Sequence, residues 1–209
     1  MRCVLCLRWY AETSVLRCSP LNRALEQQGK LVIYESSYWK LPLLESAQRL
    51  LTMKSEIDLS EDTLAQIEKD IFIGFYSIRK LFDTIKVTDA LKSTKYPLTW
   101  FPHQGREVTW LNNYRVDEHY NLNSKNTETR DLWFIASRLI HSFVFQISLS
   151  EQGGLEGIFF ASDSDKNKKV YYLSVEAIAG FFNDVGNNYV TEISHSYDDV
   201  TGQLITVAK

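Results

Sequence analysis

The chain has 209 residues, of which 44% are hydrophobic and 23% are charged, and these proportions are typical of a soluble domain with one sizeable core. The formal net charge of -3 does not favour nucleic acid or an anionic membrane as a partner. The most apolar window, residues 132–149, contains Arg138 and His141, which argues against a membrane span. We therefore expect a cytoplasmic protein.

The N-terminal segment differs in composition from the rest of the chain. Its first part has no clear hydrophobic period, and residues 19–29 carry the N-cap, proline and glycine signals of a short helix. We predict a loose extension over residues 1–36 that contains this helix, followed by a single α+β domain over residues 37–209. Cys3 and Cys6 have the spacing of half a zinc site, but no second pair follows, so we predict neither a metal site nor a cofactor.

A long amphipathic helix is predicted from Ser60 to Val87. Its apolar residues recur every three or four positions and form a stripe wider than a coiled-coil seam, so neighbours should cover it on more than one side. Ser60 is a suitable N-cap. Gly74 in mid-helix costs about 1 kcal/mol relative to alanine, which indicates a close crossing by another element. The apolar residues are Leu64, Ile67, Ile71, Phe75, Ile78, Phe82 and Ile85.

Helices precede strands in the predicted order of elements. A helix over residues 37–53 comes before the central helix, and a second core helix over residues 127–140 is expected to pack against it. Beyond this helix the apolar period changes to two, and strands joined by short turns pair antiparallel. The predicted fold class is therefore α+β: N-terminal helices with a central buried helix pair, then a C-terminal antiparallel sheet with one short helix. The strand candidates are 143–149, 155–161, 170–175, 189–194 and 204–207, and the short helix is 176–184.

An aromatic-rich segment, residues 96–120, keeps no helical period and is predicted to be a loop with two short extended pieces, near residues 98–101 and 108–111. Long loops inside a domain are often functional. Its rings can stack on a planar ligand while its cationic side chains hold a charged group, so we predict a non-catalytic binding module for a protein or a small molecule. The alternative is that the segment forms a small core of its own. The candidate ligand-binding residues are Trp100, His103, Arg106, Trp110, Arg115 and His119.

Two predicted helices carry polar residues that would meet if their edges faced each other. Arg138 and His141 lie in the sequence SRLIHSF, and Arg79 lies on the central helix. The arrangement is similar to that of HEPN ribonucleases, where a helix-borne Arg and His, separated by four to six residues, act on RNA phosphodiesters; here two residues separate them. The resemblance implies, as the alternative function, a metal-independent ribonuclease (toxin or defence component) with Arg138, His141 and Arg79 as catalytic residues. A buried polar network that fixes helix register is the competing interpretation.

Overall fold

The computed structural model describes residues 33–209, and the chain divides into two units, Met1–Tyr34 and Glu35–Lys209. All helices and strands named below belong to the second unit. The short helix predicted over residues 19–29 and the two N-terminal cysteines lie outside the described residues. The helices of the second unit are α1 (Ser37–Met53), α2 (Glu61–Phe82), α3 (Asp89–Ser93), α4 (Val116–His119), α5 (Leu132–Ile140) and α6 (Val175–Gly186).

The central helix α2 begins at the predicted N-cap. Ser60 is extended, and its hydroxyl accepts a hydrogen bond from the amide of Thr63 at 3.2 Å, which satisfies one of the free donors at the helix start. The helix ends at Phe82, five residues earlier than predicted. Its last turn is closed by Thr84, whose amide and hydroxyl both donate to the carbonyl of Leu81.

A five-stranded antiparallel sheet forms the second layer of the fold. Its strand order is β2-β1-β5-β4-β3, and each neighbouring pair runs antiparallel. The helices α1 to α3 precede this sheet, whereas α4 to α6 lie between or after its strands. The α+β fold class is confirmed. The strands are β1 (Lys95–Pro102), β2 (Asn126–Asp131), β3 (Ser142–Leu149), β4 (Leu155–Ser162) and β5 (Lys169–Ser174).

Helices cover one face of this sheet. Helix α5 connects β2 at one edge with β3 at the other and contacts β2 and β4, while α6 packs on β4 and β5. Helix α2 lies against both α5 and α6, and α1 covers α2 and α6. The predicted buried pair is α2 with α5. Aromatic rings fill the layer between helices and sheet: Phe75, Phe160, Tyr171 and Phe182 are all buried.

The prediction was wrong at one edge of the sheet. Residues 126–131, assigned mostly to the second core helix, form β2, in which Thr127 lies opposite Thr99 of β1. The β-branched threonines of this segment alternate with polar residues, a pattern that suits a strand at a half-exposed edge. In the aromatic segment 96–120 the first predicted extended piece, residues 98–101, is confirmed, because it belongs to β1 and pairs on both sides. Trp100 consequently lies on a strand. The second piece, residues 108–111, does not form a strand.

The chain after β1 folds over the opposite face of the sheet and forms a second, smaller core. Val108, Val116 and Tyr120 from this connection are buried against residues of the sheet. The hydroxyl of Tyr120 donates to the carbonyl of Lys166 at 2.6 Å, which ties the connection to the β4–β5 turn. Part of the aromatic segment thus serves packing. The sheet residues of this core are Phe101, Val144, Ala161 and Val170.

The last two strands do not join the main sheet. β6 (Ile193–Tyr197) and β7 (Leu204–Ala208) form a separate two-stranded antiparallel sheet, called here the C-terminal hairpin. Its turn is held by the Asp198 carboxylate, which accepts hydrogen bonds from the Val200 and Thr201 amides. Its base is tied to the rest of the unit where the amide of Ala208 donates to Asp89 at 2.9 Å.

Candidate functional site

A cleft of about 660 Å³ opens between the connection after β1 and the start of β3. Trp110 lines it with 76% of its surface exposed, and its ring packs on Phe143 with 4.2 Å between ring centroids. This volume falls in the range of small-molecule sites, although the cleft is open to solvent and not enclosed. We call it the Trp110 cleft, and it brings together two of the predicted residues, Trp110 and His141. Its polar lining residues also include Glu107, Ser142, Asp163 and Lys166.

Side-chain amides fix the backbone that carries Trp110. The Oδ1 atom of Asn112 accepts a hydrogen bond from the Thr109 amide at 2.7 Å, so the turn is closed across the tryptophan. Asn113 donates from its Nδ2 to the carbonyl of Phe143 at 3.0 Å. The side chain of Asn113 therefore ties the turn that carries Trp110 to the backbone of Phe143, and the exposed indole is held in place without being buried.

His119 is fully buried within the same connection. Its Nδ1 lies 3.1 Å from the carbonyl oxygen of Arg106, and its Nε2 lies 3.1 Å from the carbonyl oxygen of Asn112. These two carbonyls stand on either side of Trp110 in the chain. The imidazole therefore joins both ends of the turn that presents the indole, and it contacts backbone rather than the cleft.

The Trp110 cleft contains both positive and negative groups. The Nζ atom of Lys166 lies 3.6 Å from the centroid of the Phe143 ring and 2.7 Å from the carboxylate of Asp163. His141 is the exposed C-cap residue of α5, and Glu107 supplies a second carboxylate. Aromatic surface combined with donors and acceptors suits a planar ligand that carries both kinds of hydrogen-bonding group on its edge.

Three other predicted residues hold the connection together outside the cleft. The Nδ1 atom of His103 accepts from the Gly105 amide at 3.0 Å, so its Nε2 carries the proton and donates to the carbonyl of Arg106 at 2.7 Å. Arg106 and Arg115 are exposed, and both form ion pairs with Glu118. In the described part of the chain these residues do not line the Trp110 cleft.

Trp100 belongs to a different surface, on the face of the sheet that the helices cover. It lies opposite Tyr171 in the register of β1 and β5, and the Nζ atom of Lys169 is 5.0 Å from the centroid of its ring. Lys169 also donates to Glu128 at 2.7 Å, as Tyr171 and Arg130 do. Burial raises the pKa of Glu128, but these three hydrogen bonds outweigh it and keep that pKa below its ordinary value.

The residues of the ribonuclease hypothesis contact three different groups. The guanidinium of Arg138 pairs with the buried Asp165, with 3.3 Å between Nε and the carboxylate. Arg79 lies over the ring of Trp133, 4.4 Å from its centroid, between α2 and α5. His141 lines the Trp110 cleft. The two helices pack against each other, as predicted, but the three side chains are directed to separate partners.

Several residues of the Trp110 cleft were not predicted from the sequence. Phe143 was assigned only to a strand, and Asp163 and Lys166 only to the turn between two strands. Their side chains reach the cleft because the β4–β5 turn and the start of β3 lie beside the connection that carries Trp110. No local pattern in the sequence marks this meeting, since the three segments come together only through the sheet.

Lys40 is a further residue whose role was not predicted from the sequence. It lies fully buried on α1, where its Nζ donates to the carbonyls of Lys86 (2.7 Å) and Asn188 and sits 4.3 Å from the centroid of the Tyr189 ring. Burial, together with the charge of Lys86, lowers the pKa of Lys40 to about 8. Lys40 precedes Leu43 by three positions and so lies on the apolar side of α1. This spacing was the one sign in the sequence that Lys40 is buried.

No protein-family model, curated protein or solved structure matches this chain. Among residues 33–209, no three His, Cys, Asp or Glu side chains converge in a group that could hold a metal ion. Within the same residues, no helix has both the length and the apolar character that crossing a bilayer requires. The functional argument therefore depends on the geometry of the cleft itself.

Proposed function

We propose that this protein is a non-catalytic binding module that takes a small planar ligand into the Trp110 cleft. The observation that carries the proposal is the exposure of Trp110, with 76% of its surface in contact with solvent. A tryptophan that served only to anchor the connection would be buried with Val108 and Tyr120 in the second core. Exposed aromatic side chains at the mouth of a cleft are common contacts for ligands and partners.

The polar groups of the cleft favour a heteroaromatic ring over a plain hydrocarbon. Glu107 and Asp163 accept hydrogen bonds, so amino groups on the edge of a ring would pair with them. Lys166 donates, so an acidic group attached to that ring would be held near the Phe143 ring. Nucleotides combine a stackable base, amino groups and a phosphate. Adenosine monophosphate is therefore a suitable first probe.

The test is a titration of the purified protein with adenosine monophosphate, followed by calorimetry, with ribose 5-phosphate as the control without a ring. Stacking of one base on an aromatic side chain is worth about 1–3 kcal/mol, so Trp110→Ala should weaken binding roughly 5- to 150-fold. Tyr38 is 81% exposed on α1, and Tyr38→Ala is the matched control, which should leave the affinity unchanged.

The thermal midpoint separates binding from packing. Because Trp110 is mostly exposed, Trp110→Ala should change the free energy of unfolding by no more than about 0.5 kcal/mol, as a typical surface substitution does. The thermal midpoint should therefore move little. Loss of binding with a nearly unchanged midpoint supports the proposal. A large loss of stability with unaltered binding would show that the indole is a packing residue, and equal binding of ribose 5-phosphate would show that the ring is not recognised.

A metal-independent ribonuclease is the second candidate, favoured by one observation: His141 is exposed in the cleft and follows Arg138 by three positions. An imidazole in this setting can transfer protons. The test is incubation of the protein with RNA in the presence of a chelator, with His141→Ala as the comparison. Cleavage that disappears in the variant would support this function. Equal background cleavage in both proteins would remove it.

A further inference from the structure

We propose that the C-terminal hairpin is an edge-to-edge interface through which strand β6 pairs antiparallel with β6 of a second copy of this chain. An isolated two-stranded hairpin is only marginally stable in water. This hairpin nevertheless exposes large apolar side chains on one face, with Ile193 44%, Tyr197 72% and Leu204 51% exposed. The proposal concerns a surface separate from the Trp110 cleft and does not depend on its function.

The hydrogen-bond register identifies which backbone groups are free. Glu192 and Lys209 exchange two backbone hydrogen bonds, and Asp198 donates to Gln203. Because hydrogen-bonded and non-hydrogen-bonded pairs alternate along an antiparallel ladder, the odd-numbered residues of β6 direct their N–H and C=O groups away from β7. In the described part of the chain these groups have no backbone partner. The residues with free outer groups are Ile193, His195 and Tyr197.

The two edges of the hairpin are not equivalent. On β7, the outward amide of Ala208 already donates to Asp89 of α3 at 2.9 Å, so that edge is occupied at one end. On β6 every residue is exposed. The strand reads ISHSY and carries no Lys, Asp, Glu or Pro, the residues with which proteins usually protect a free edge from pairing. The β6 edge is therefore the open one.

A second copy fits this edge because the strand is complementary to itself. A two-fold axis at His195 places His195 opposite its equivalent and Ile193 opposite Tyr197 of the second copy. These are three hydrogen-bonded pairs, each of which exchanges two backbone hydrogen bonds. Each Ile–Tyr pair joins a β-branched and an aromatic side chain, a favourable cross-strand combination. The axis is closed, so pairing stops at a dimer with a four-stranded sheet.

The flanking charges and the area set the strength of the interface. The same axis places Glu192 opposite Asp198 of the second copy, but each carboxylate already has a partner, Lys209 for Glu192 and the turn amides for Asp198. A stable interface covers about 800 Å² on each partner. A five-residue strand covers only part of that area, so the dimer should be weak and should depend on the exposed apolar side chains beside it.

The experiment is sedimentation velocity of the full chain over concentrations from about 10 μM to about 500 μM, the range in which weak dimers form. The wild type should shift from monomer to dimer. His195→Pro removes an outward N–H, leaves the backbone hydrogen bonds between β6 and β7 intact and should weaken the dimer about tenfold or more. It also removes the contact between His195 Nδ1 and Thr206 Oγ1 at 2.9 Å, which the control variant Thr206→Pro loses as well. Thr206→Pro removes the equivalent outward N–H from β7, and this matched control should still dimerise like the wild type.

A second pair of variants keeps the test valid if proline disturbs the hairpin itself. His195→Lys places two ammonium groups opposite each other at the axis and should abolish the dimer, whereas His195→Val should preserve it. A wild type that stays monomeric at every concentration would overturn the proposal. It would also be overturned by a dimer that neither His195→Pro nor His195→Lys weakens, or by one that Thr206→Pro weakens equally.

Discussion

Gly74 of α2 lies against the ring of Phe182 of α6, so closely that a Cβ atom at Gly74 would be 2.2 Å from Cζ of that ring. Phe182 is fully buried, and its ring also packs edge-on against Phe75, one residue further along α2. The glycine that interrupts the central helix is therefore the point at which α6 crosses it. The close crossing expected from the sequence is confirmed.

Gly74→Ala should destabilise the protein although alanine is the better helix former. The propensity gain of about 1 kcal/mol is smaller than the clash, because overpacking a filled core costs about 1–3 kcal/mol and can cost more. Gly180 of α6 is the matched control, since nothing lies within 4 Å of a Cβ atom added there. Urea denaturation should show Gly74→Ala less stable than the wild type and Gly180→Ala equal or more stable. The reverse order would contradict the crossing.

Stability should rise between about pH 8 and about pH 10 because of Lys40. Burial lowers the pKa of this lysine to about 8 in the folded protein, whereas the unfolded chain keeps the ordinary value near 10.4. Between these values the unfolded state binds more protons than the folded state, so the free energy of unfolding increases with pH. Denaturation at about pH 7.5 and about pH 9.5 measures this increase.

Lys40→Met should remove that increase, because methionine fills similar space without a titrating group. Lys80, which is partly buried beside the Tyr76 ring, is the control, and Lys80→Met should retain it. Above about pH 10 a second effect has the opposite sign: burial raises the pKa of Tyr96 to about 12, so the unfolded state loses this proton first and stability falls. If the free energy of unfolding of Lys40→Met still increased between about pH 8 and about pH 10, the increase could not be due to Lys40.

His119 and Arg115 were both predicted to bind ligand, and the structure separates their roles. His119→Ala should cost about 2–4 kcal/mol of stability, because it removes a fully buried ring that lies between the two ends of the Trp110 turn and opens a cavity there. Arg115→Ala removes an exposed ion pair with Glu118 and should change stability by less than about 0.5 kcal/mol. Chemical denaturation distinguishes the two. An unchanged midpoint for His119→Ala together with lost ligand binding would identify this histidine as a ligand contact instead.

Local periodicity was sufficient to predict the long helices and the strands β3 to β5. The start of α2 at Ser60, the stripe of α1 and these three strands depend on neighbours within a few positions in the chain. The four-residue helix α4 was not predicted, and the strand predicted over residues 189–194 lies at Ile193–Tyr197 instead. The segment around Thr127 is different, because its strand conformation depends on pairing with β1, which lies about 30 residues earlier. Helix and strand propensities are nearly balanced there. Pairing with β1 therefore determines that these residues form a strand.

The candidate site was predicted only in part, for a related reason. The sequence indicated that aromatic and cationic side chains are concentrated in residues 96–120, but not which of them are buried. In the structure Tyr120 and His119 are buried, whereas Trp110 is exposed. Lys166 and Phe143 joined it from distant segments through the sheet. Composition can locate such a site along the chain, and only the fold determines which side chains share a cleft.

The most direct test of ligand binding at the Trp110 cleft uses the five tryptophans as separate probes. The indole N–H signals of ¹⁵N-labelled protein can be assigned with single Trp→Phe variants and followed by NMR during titration with adenosine monophosphate. The Trp110 signal should move most and saturate, while that of Trp133, which contacts Arg79 and does not line the cleft, should stay in place. Movement of Trp133 or Trp100 without movement of Trp110 would contradict the proposed site.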